Sequence, residues 1–443
     1  MAARKVLAVA ATFVIAASGL VACGGSDSKK SDAKAELRIW VRKPPGGNTE
    51  KTDDALAAKF TAQTGIPSKV TALFDDFDTK LQQAATQKKL PDIVINDTDK
   101  LGTYQQQGIV VPVDKSSFTG ASDISDVSWN AATGADGKTY GVPFSLQTYA
   151  LLIRKDWRTK VGLPEPKTWV DLDALAKAFT TQDPDGDKKA DTYGYVIPAS
   201  TKKGYASWYF SSWLWADGGD FLTGAPGAYA SAINQPNAVA AANEWKKQFC
   251  TDKTVVPGSI NAQTTDAHPL FESGKGGIYL TGPYNMARFD KNLGKAKYEV
   301  VQLPAGPSGS GPAALGEGEN IYLMAGSANP SGQIKFAEYA TTVEAQILGM
   351  AGNTDGNVVR SPANTKVDTE SVRNDPRWTS FSQWLTKDAR YIPRVPDWTP
   401  FRQDSANTLN AIASDCSLDV KAQLDKLNDD FNSLLAKQGA KAK

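Results

Sequence analysis

His268 is the one histidine in the 443-residue chain, and Pro269 follows it. Neither a His-bearing catalytic triad nor a multi-histidine metal site has the material it needs. The run Gly134-Ala135-Asp136-Gly137-Lys138-Thr139 ends like a phosphate-binding loop, but Ala132 stands where that loop requires its first glycine. Four acids, Asp183, Asp185, Asp187 and Asp191, fall at positions 1, 3, 5 and 9 of a loop of the calcium-binding kind, and Lys189 offers its backbone carbonyl at position 7. That spacing suits a hard cation. Lys188 takes the place of the turn glycine and Gly194 that of the bidentate glutamate, so a bare solvated turn competes with a structural calcium. No other cofactor is called for.

Aromatic side chains are the second chemical resource, with 11 Trp, 14 Tyr and 16 Phe. Sugars offer ring C–H faces and a rim of hydroxyls, which flat rings and paired hydrogen-bonding groups recognise. Two carboxylates between aromatic plates would also serve a glycoside hydrolase, so an enzyme stays as the alternative that turnover would reveal.

The elements that must position these groups belong to an exported chain. Arg4 and Lys5 precede an apolar stretch over 6–17, too short to span a bilayer comfortably, and small residues follow. Leu20-Val21-Ala22-Cys23 resembles a bacterial lipobox, which makes 1–22 a signal peptide and Cys23 the lipidated first residue of a polar tether over 23–35. Cleavage leaves 47 basic residues against 48 acidic ones, and so balanced a charge argues against a nucleic-acid partner. Cys250 and Cys416 then remain in a compartment where disulfides persist, and pairing is the simple expectation. The length calls for two domains.

Residues 36–41 alternate as a strand and break at Pro44-Pro45-Gly46-Gly47. A helix to about 64, a strand over 68–73, a helix over 77–88 and a buried strand over 92–95 complete a βαβαβ rhythm. Such a rhythm implies an α/β fold with a parallel sheet, whose ligands sit beyond the carboxyl ends of the strands, near Trp40 and Asp97. A strand is expected at 150–154, helices at 172–179, 238–249 and 332–341, and a Trp-rich apolar stretch at 205–221. Val420, Leu424, Leu427, Phe431 and Leu434 mark a C-terminal amphipathic helix, and Trp245 reads as core.

From about residue 37 onward, a series of short motifs in order resembles the solute-binding proteins of carbohydrate ABC importers, the maltose-binding-protein class. They include Pro91-Asp92-Ile93-Val94-Ile95-Asn96-Asp97, Tyr140-Gly141-Val142-Pro143-Phe144, Trp213-Leu214-Trp215-Ala216-Asp217-Gly218-Gly219, Gly282-Pro283-Tyr284 and Arg390-Tyr391-Ile392-Pro393-Arg394-Val395-Pro396. Gln147 stands where many relatives carry an acid, and Tyr284 where Trp is commoner.

The resemblance implies a two-lobed periplasmic-binding-protein-like fold with a ligand cleft between the lobes and hinge crossovers near 145–151, 306–312 and 349–358. The lobes would comprise 36–147 with 306–352, and 148–305 with 353–443. The cleft would be lined by Trp40, Trp213, Trp215, Tyr284 and Trp398 as plates, with Asp97 and Arg394 as polar partners and, more weakly, Glu317 and Asn320 of Gly316-Glu317-Gly318-Glu319-Asn320. The implied function is capture of a carbohydrate, an oligosaccharide foremost, by a lipid-anchored monomer that delivers it to membrane permease subunits. A polyamine or a glycerol phosphate ester is the rival solute.

Overall fold

The computed structural model describes residues 31–46, 48–351 and 361–442. Its frame is two sheets. In the first, β1 (Leu37–Arg42) lies between β2 (Ser68–Leu73) and β3 (Ile93–Asp97), all parallel, as the βαβαβ rhythm requires. β4 (Val142–Thr148) and β11 (Ala314–Leu323) join antiparallel, with β11 between β3 and β4. The second sheet runs β10 (Tyr298–Val301), β5 (Ala150–Arg154), β9 (Gly276–Thr281) and β6 (Tyr193–Val196). A small hairpin, β7 (Leu222–Ala225) with β8 (Ala228–Ser231), stands apart.

Each sheet organises its own core. Leu37, Ile39, Ile93, Ile95, Val142 and Ile321 pack in the first lobe, where strands covered on both faces read as near-continuous apolar runs. Helices Trp169–Thr181, Tyr205–Ala216, Pro236–Cys250, Thr399–Ser414 and Val420–Lys437 bury their apolar faces around the second. Val420, Leu424, Leu427 and Phe431 are buried at the spacing read from the sequence, and Trp245 is buried too. Among the described residues no helix is long and apolar enough to cross a membrane.

The chain passes between lobes at three places. Tyr149 alone separates β4 from β5, so the first passage takes one residue, and its N–H donates to Leu315 O at 3.1 Å. Residues 302–313 carry the second passage, from β10 to β11. The third lies later than the sequence reading placed it. β12 (Ser361–Pro362) pairs with β4 and β13 (Ala389–Arg390) with β11, so the chain is still in the first sheet at Arg390 and crosses over 391–398. Helix Arg377–Lys387 lies between the two cores, with Trp378 and Phe381 in one and Leu385 in the other. Most of the 349–358 segment expected to cross lies outside the described residues, as does Cys23.

Cys250 ends one second-lobe helix and Cys416 follows another, and they form a disulfide with Cα atoms 5.6 Å apart.

Candidate binding cleft

Parallel strands end at a common edge, and β1 and β3 deliver Arg42 and Asp97 there. Arg42 Nη1 lies 2.7 Å from Asp97 Oδ2, and its guanidinium lies 5.2 Å from the ring of Phe74, just past β2. Burial works against the Arg42 charge, but Asp97 together with Tyr205, Asp99 and Asp78 outweighs it, and Arg42 is held above its ordinary pKa.

β11 supplies the floor. Side chains alternate along a strand, so the sequence Gly316-Glu317-Gly318-Glu319 sets two carboxylates on one face. Register with β4 puts Glu317 opposite Gln147 and Glu319 opposite Ser145. Gln147 Nε2 donates to Glu317 Oε2 at 2.5 Å, and Ser145 Oγ donates to Glu319 Oε2 at 3.0 Å. Lys43 Nζ, beyond the end of β1, meets Glu319 Oε1 at 2.5 Å. Gly318 is required between the two acids, because a Cβ there would stand 2.0 Å from Ser145 O.

The second lobe faces this floor with rings. Tyr205 and Trp208, in the first turn of their helix, stack with centroids 6.0 Å apart at 28°. Tyr149 at the first passage, Tyr284 after β9 and His268 from helix Thr264–Glu272 complete the wall. Burial, aided by Arg288, pushes His268 down to about 3, so its ring stays neutral at physiological pH. Its Nδ1 lies 3.1 Å from both the Tyr279 hydroxyl and Asn285 Nδ2, which fixes it in place. Arg288 is held by Glu272 through two contacts. The two walls enclose a cavity of about 510 Å³.

Of the residues read from the sequence, Asp97, Glu317 and Tyr284 line this cavity together. The other plates do not reach it. Trp213 packs edge-on against Trp169 at 5.1 Å, and Trp215 against Phe221 at 5.9 Å with its Nε1 donating to Asp220. Both sit later on the helix whose first turn gives Trp208 to the cleft, where the helix turns into the core. Trp40 is half-buried against the Phe77 and Leu101 cluster. Trp398 stacks on Phe401 at 5.3 Å, and with exposed Arg394 it borders a separate groove of about 350 Å³. Asn320 is fully buried with its amide 3.4 Å from the Tyr322 hydroxyl. Sequence reasoning missed Phe74, Tyr149, Tyr205 and Trp208. Tyr205 and Trp208 share one helical face by their i, i+3 spacing, but nothing in the residue types marks that face as the one toward the cleft.

The acidic loop lies elsewhere, after helix Trp169–Thr181. Carboxylate oxygens of Asp183, Asp185 and Asp187 lie within 4.8 Å of one another. Lys188 adopts φ 67°, the left-handed turn usually given to glycine at that position. Lys189 directs its ammonium to Asp187 at 2.9 Å, and Lys275 holds Asp191 at 2.7 Å.

The family model of bacterial extracellular solute-binding proteins matches residues 46–347, which take in strands β2 to β11 and so parts of both lobes. The chain belongs to that family. This solute-binding protein is 24% identical over 325 residues to a putative binding protein of Brucella abortus, covering 72% of the chain and 74% of the relative. It is 24% identical over 360 residues to the maltooligosaccharide ABC transporter solute-binding lipoprotein of Streptococcus pneumoniae, covering 77% and 78%. Its fold is that of the GacH receptor of Streptomyces glaucescens, solved unliganded and with acarbose, at TM-score 0.77 and 19% identity over 91% of the chain and 99% of the receptor.

Proposed function

We propose that this solute-binding protein captures a neutral carbohydrate, foremost an oligosaccharide, in the interlobe cleft and hands it to the permease of an ABC importer. The observation that carries this reading is the pairing of charge in the floor. Asp97 is met by Arg42, Glu319 by Lys43, and Glu317 by the Gln147 amide, while aromatic rings face the same cavity. Paired charges that keep spare lone pairs suit hydroxyls, and rings suit C–H faces. A polyamine would want clustered acids without cations beside them and a phosphate ester clustered cations, whereas two of the three floor carboxylates carry cations of their own. The name of the pneumococcal relative supports the same class.

A thermal-shift panel of maltose, maltotriose, fructooligosaccharides, spermidine and glycerol phosphate tests this, because a cleft ligand stabilises by mass action. A shift with a sugar, and intact sugar recovered afterwards, is expected. A shift confined to spermidine or glycerol phosphate would replace the reading, and cleaved sugar would move the protein to the glycoside hydrolases.

We also propose that lipid at Cys23 anchors the protein outside the cytoplasm, supported by Leu20-Val21-Ala22-Cys23 and the polar tether. Cys23→Ser should release it from the membrane fraction or block its maturation. The Asp183–Asp191 loop is proposed as a structural calcium site on the strength of its three convergent carboxylates and the turn at Lys188. Calcium should raise the melting temperature of chelator-stripped protein, and Asp185→Asn should remove that rise.

A further inference from the structure

His268 is the chain's one histidine, and helix Thr264–Glu272 holds it in the cleft wall with 8% of its surface exposed. Three rings crowd it, with Tyr279, Tyr284 and Phe289 centroids 5.9, 6.0 and 6.4 Å away. A neutral imidazole carries one proton, and the bond made by one nitrogen decides which nitrogen holds it.

Around Nδ1 the donors are already assigned. Thr281 Oγ1 donates to the Tyr284 hydroxyl at 3.1 Å, so it accepts from the Asn285 amide, whose Nδ2 lies 2.9 Å away. That bond turns the amide nitrogen, not its oxygen, toward His268 Nδ1 at 3.1 Å. An amide nitrogen has only protons to offer, so Nδ1 must present its lone pair and the ring proton sits on Nε2. Nε2 has no partner among the described residues. With Nδ1 enclosed, it is the polar edge left toward the cavity that His268 borders.

We propose that His268 is a specificity-determining residue of the cleft, donating its Nε2–H to an acceptor oxygen of the solute. The inference rests on the carbohydrate reading and names one contact within it. Sugar hydroxyls that donate to the floor carboxylates Asp97, Glu317 and Glu319 keep lone pairs, and a donor on the second-lobe wall uses one of them. Burial holds the ring neutral, so this donor meets an ether or hydroxyl oxygen without a charge to balance.

Because no second histidine contributes, a long-range proton–nitrogen correlation spectrum of the isotope-labelled, untagged full-length chain carrying Cys23→Ser reads this one ring. Without solute, Nε2 should resonate as the protonated nitrogen and Nδ1 as the bare one. Maltose, maltotriose or a fructooligosaccharide, whichever the thermal panel shows to bind, should shift the Nε2 proton and slow its exchange with water. His268→Phe should weaken that sugar by about 2- to 10-fold, and His268→Gln, which can return an N–H, should recover most of the loss. The spectra need no variant, so they decide the matter even if His268→Phe does not fold. A proton on Nδ1 in the solute-free spectrum would overturn the donor whatever the cleft binds. So would a sugar that binds and leaves the Nε2 proton unchanged, or one that His268→Phe binds as tightly as the native protein does; the carbohydrate reading survives both. Glycerol phosphate binding alone and shifting the Nε2 proton would keep the donor and replace the carbohydrate. Spermidine binding alone has no oxygen to accept, and would remove both.

Discussion

Lys43 Nζ lies 2.5 Å from Glu319 Oε1, an ion pair sealed into the cleft floor, and both partners act on a third group behind it. Asp53, from helix Asn48–Thr64, is 3% exposed, and its Oδ2 has no partner among the described residues. Burial pushes Asp53 up to about 7; Lys43 opposes the shift and Glu319 adds to it. A raised carboxyl favours the protonated folded state. Its stabilising contribution is whole below the ordinary value of 3.8, falls as pH rises toward about 7, and is gone above it. The native protein should therefore lose on the order of a few kcal/mol between pH 4 and pH 8 through this group. Asp53→Asn, which stays neutral, should flatten that part of the profile, as denaturant melts at both pH values will read. Parallel profiles for native and variant would show that Asp53 is charged throughout.

Trp208 and Trp215 occupy one helix but should fail in opposite ways. Trp208→Ala removes a ring from the cavity wall, so solute affinity should fall by roughly 0.5 to 1.5 kcal/mol beyond the lost contact area, with little change in melting. Trp215 is 3% exposed against Phe221, and its replacement by Ala should lower stability by about 3 to 5 kcal/mol and spare affinity. Calorimetry with a sugar from the panel, beside a denaturant melt, separates the two. Equal affinity loss in both would mean that the helix reports only its own stability.

This contrast also shows what the sequence could convey. Strand ends and helix spacing were legible because alternation and periodicity are local, and they carried Asp97 and the helix Val420–Lys437. Tyr284 was legible through its motif and Glu317 only as a weaker candidate in its Gly/Glu run, because no strand was read there from the sequence. Which tryptophan of a Trp-rich helix meets the cavity depends on how that helix is rotated against its neighbours, a tertiary quantity that residue type does not encode. Tyr205–Ala216 is apolar nearly all round, so its pattern gave no facing direction. Trp398 and Arg394 drew attention by their motif, yet the late passage over 391–398 takes them to another groove. That passage was misplaced because the two-residue strands β12 and β13 are too short to leave a periodic trace.

The Cys250–Cys416 bridge spans 166 residues of sequence and ties the end of helix Pro236–Cys250 to the turn before Val420–Lys437. Long loops restrict the unfolded chain most, and the usual contribution is about 2 to 4 kcal/mol. The Cys250→Ser, Cys416→Ser double variant should fold, bind the same solute, and lower the guanidinium midpoint by a corresponding amount. An unchanged midpoint would mean that the unfolded chain keeps these segments together without the bond.

Gln147 donates to Glu317 at 2.5 Å, and both lie on facing strands in the cleft floor with Gln147 only 1% exposed. Its own Oε1 is buried beside Gly282 without a partner among the described residues. Gln147→Glu keeps the shape but replaces a donor with a second carboxylate. Two carboxylates at that separation repel, so the pair holds one shared proton to a higher pH than either group would alone. At pH 8 the variant should be about 1 to 3 kcal/mol less stable than the native protein, since the donor to Glu317 is gone and the charges repel. At pH 5 the shared proton rebuilds the hydrogen bond, and most of the difference should close. Sugar affinity should follow the same course, weaker at pH 8 and near native at pH 5. Melting curves and calorimetry at both pH values check this, and a deficit of equal size at each would show that shape, not charge, fixes the glutamine.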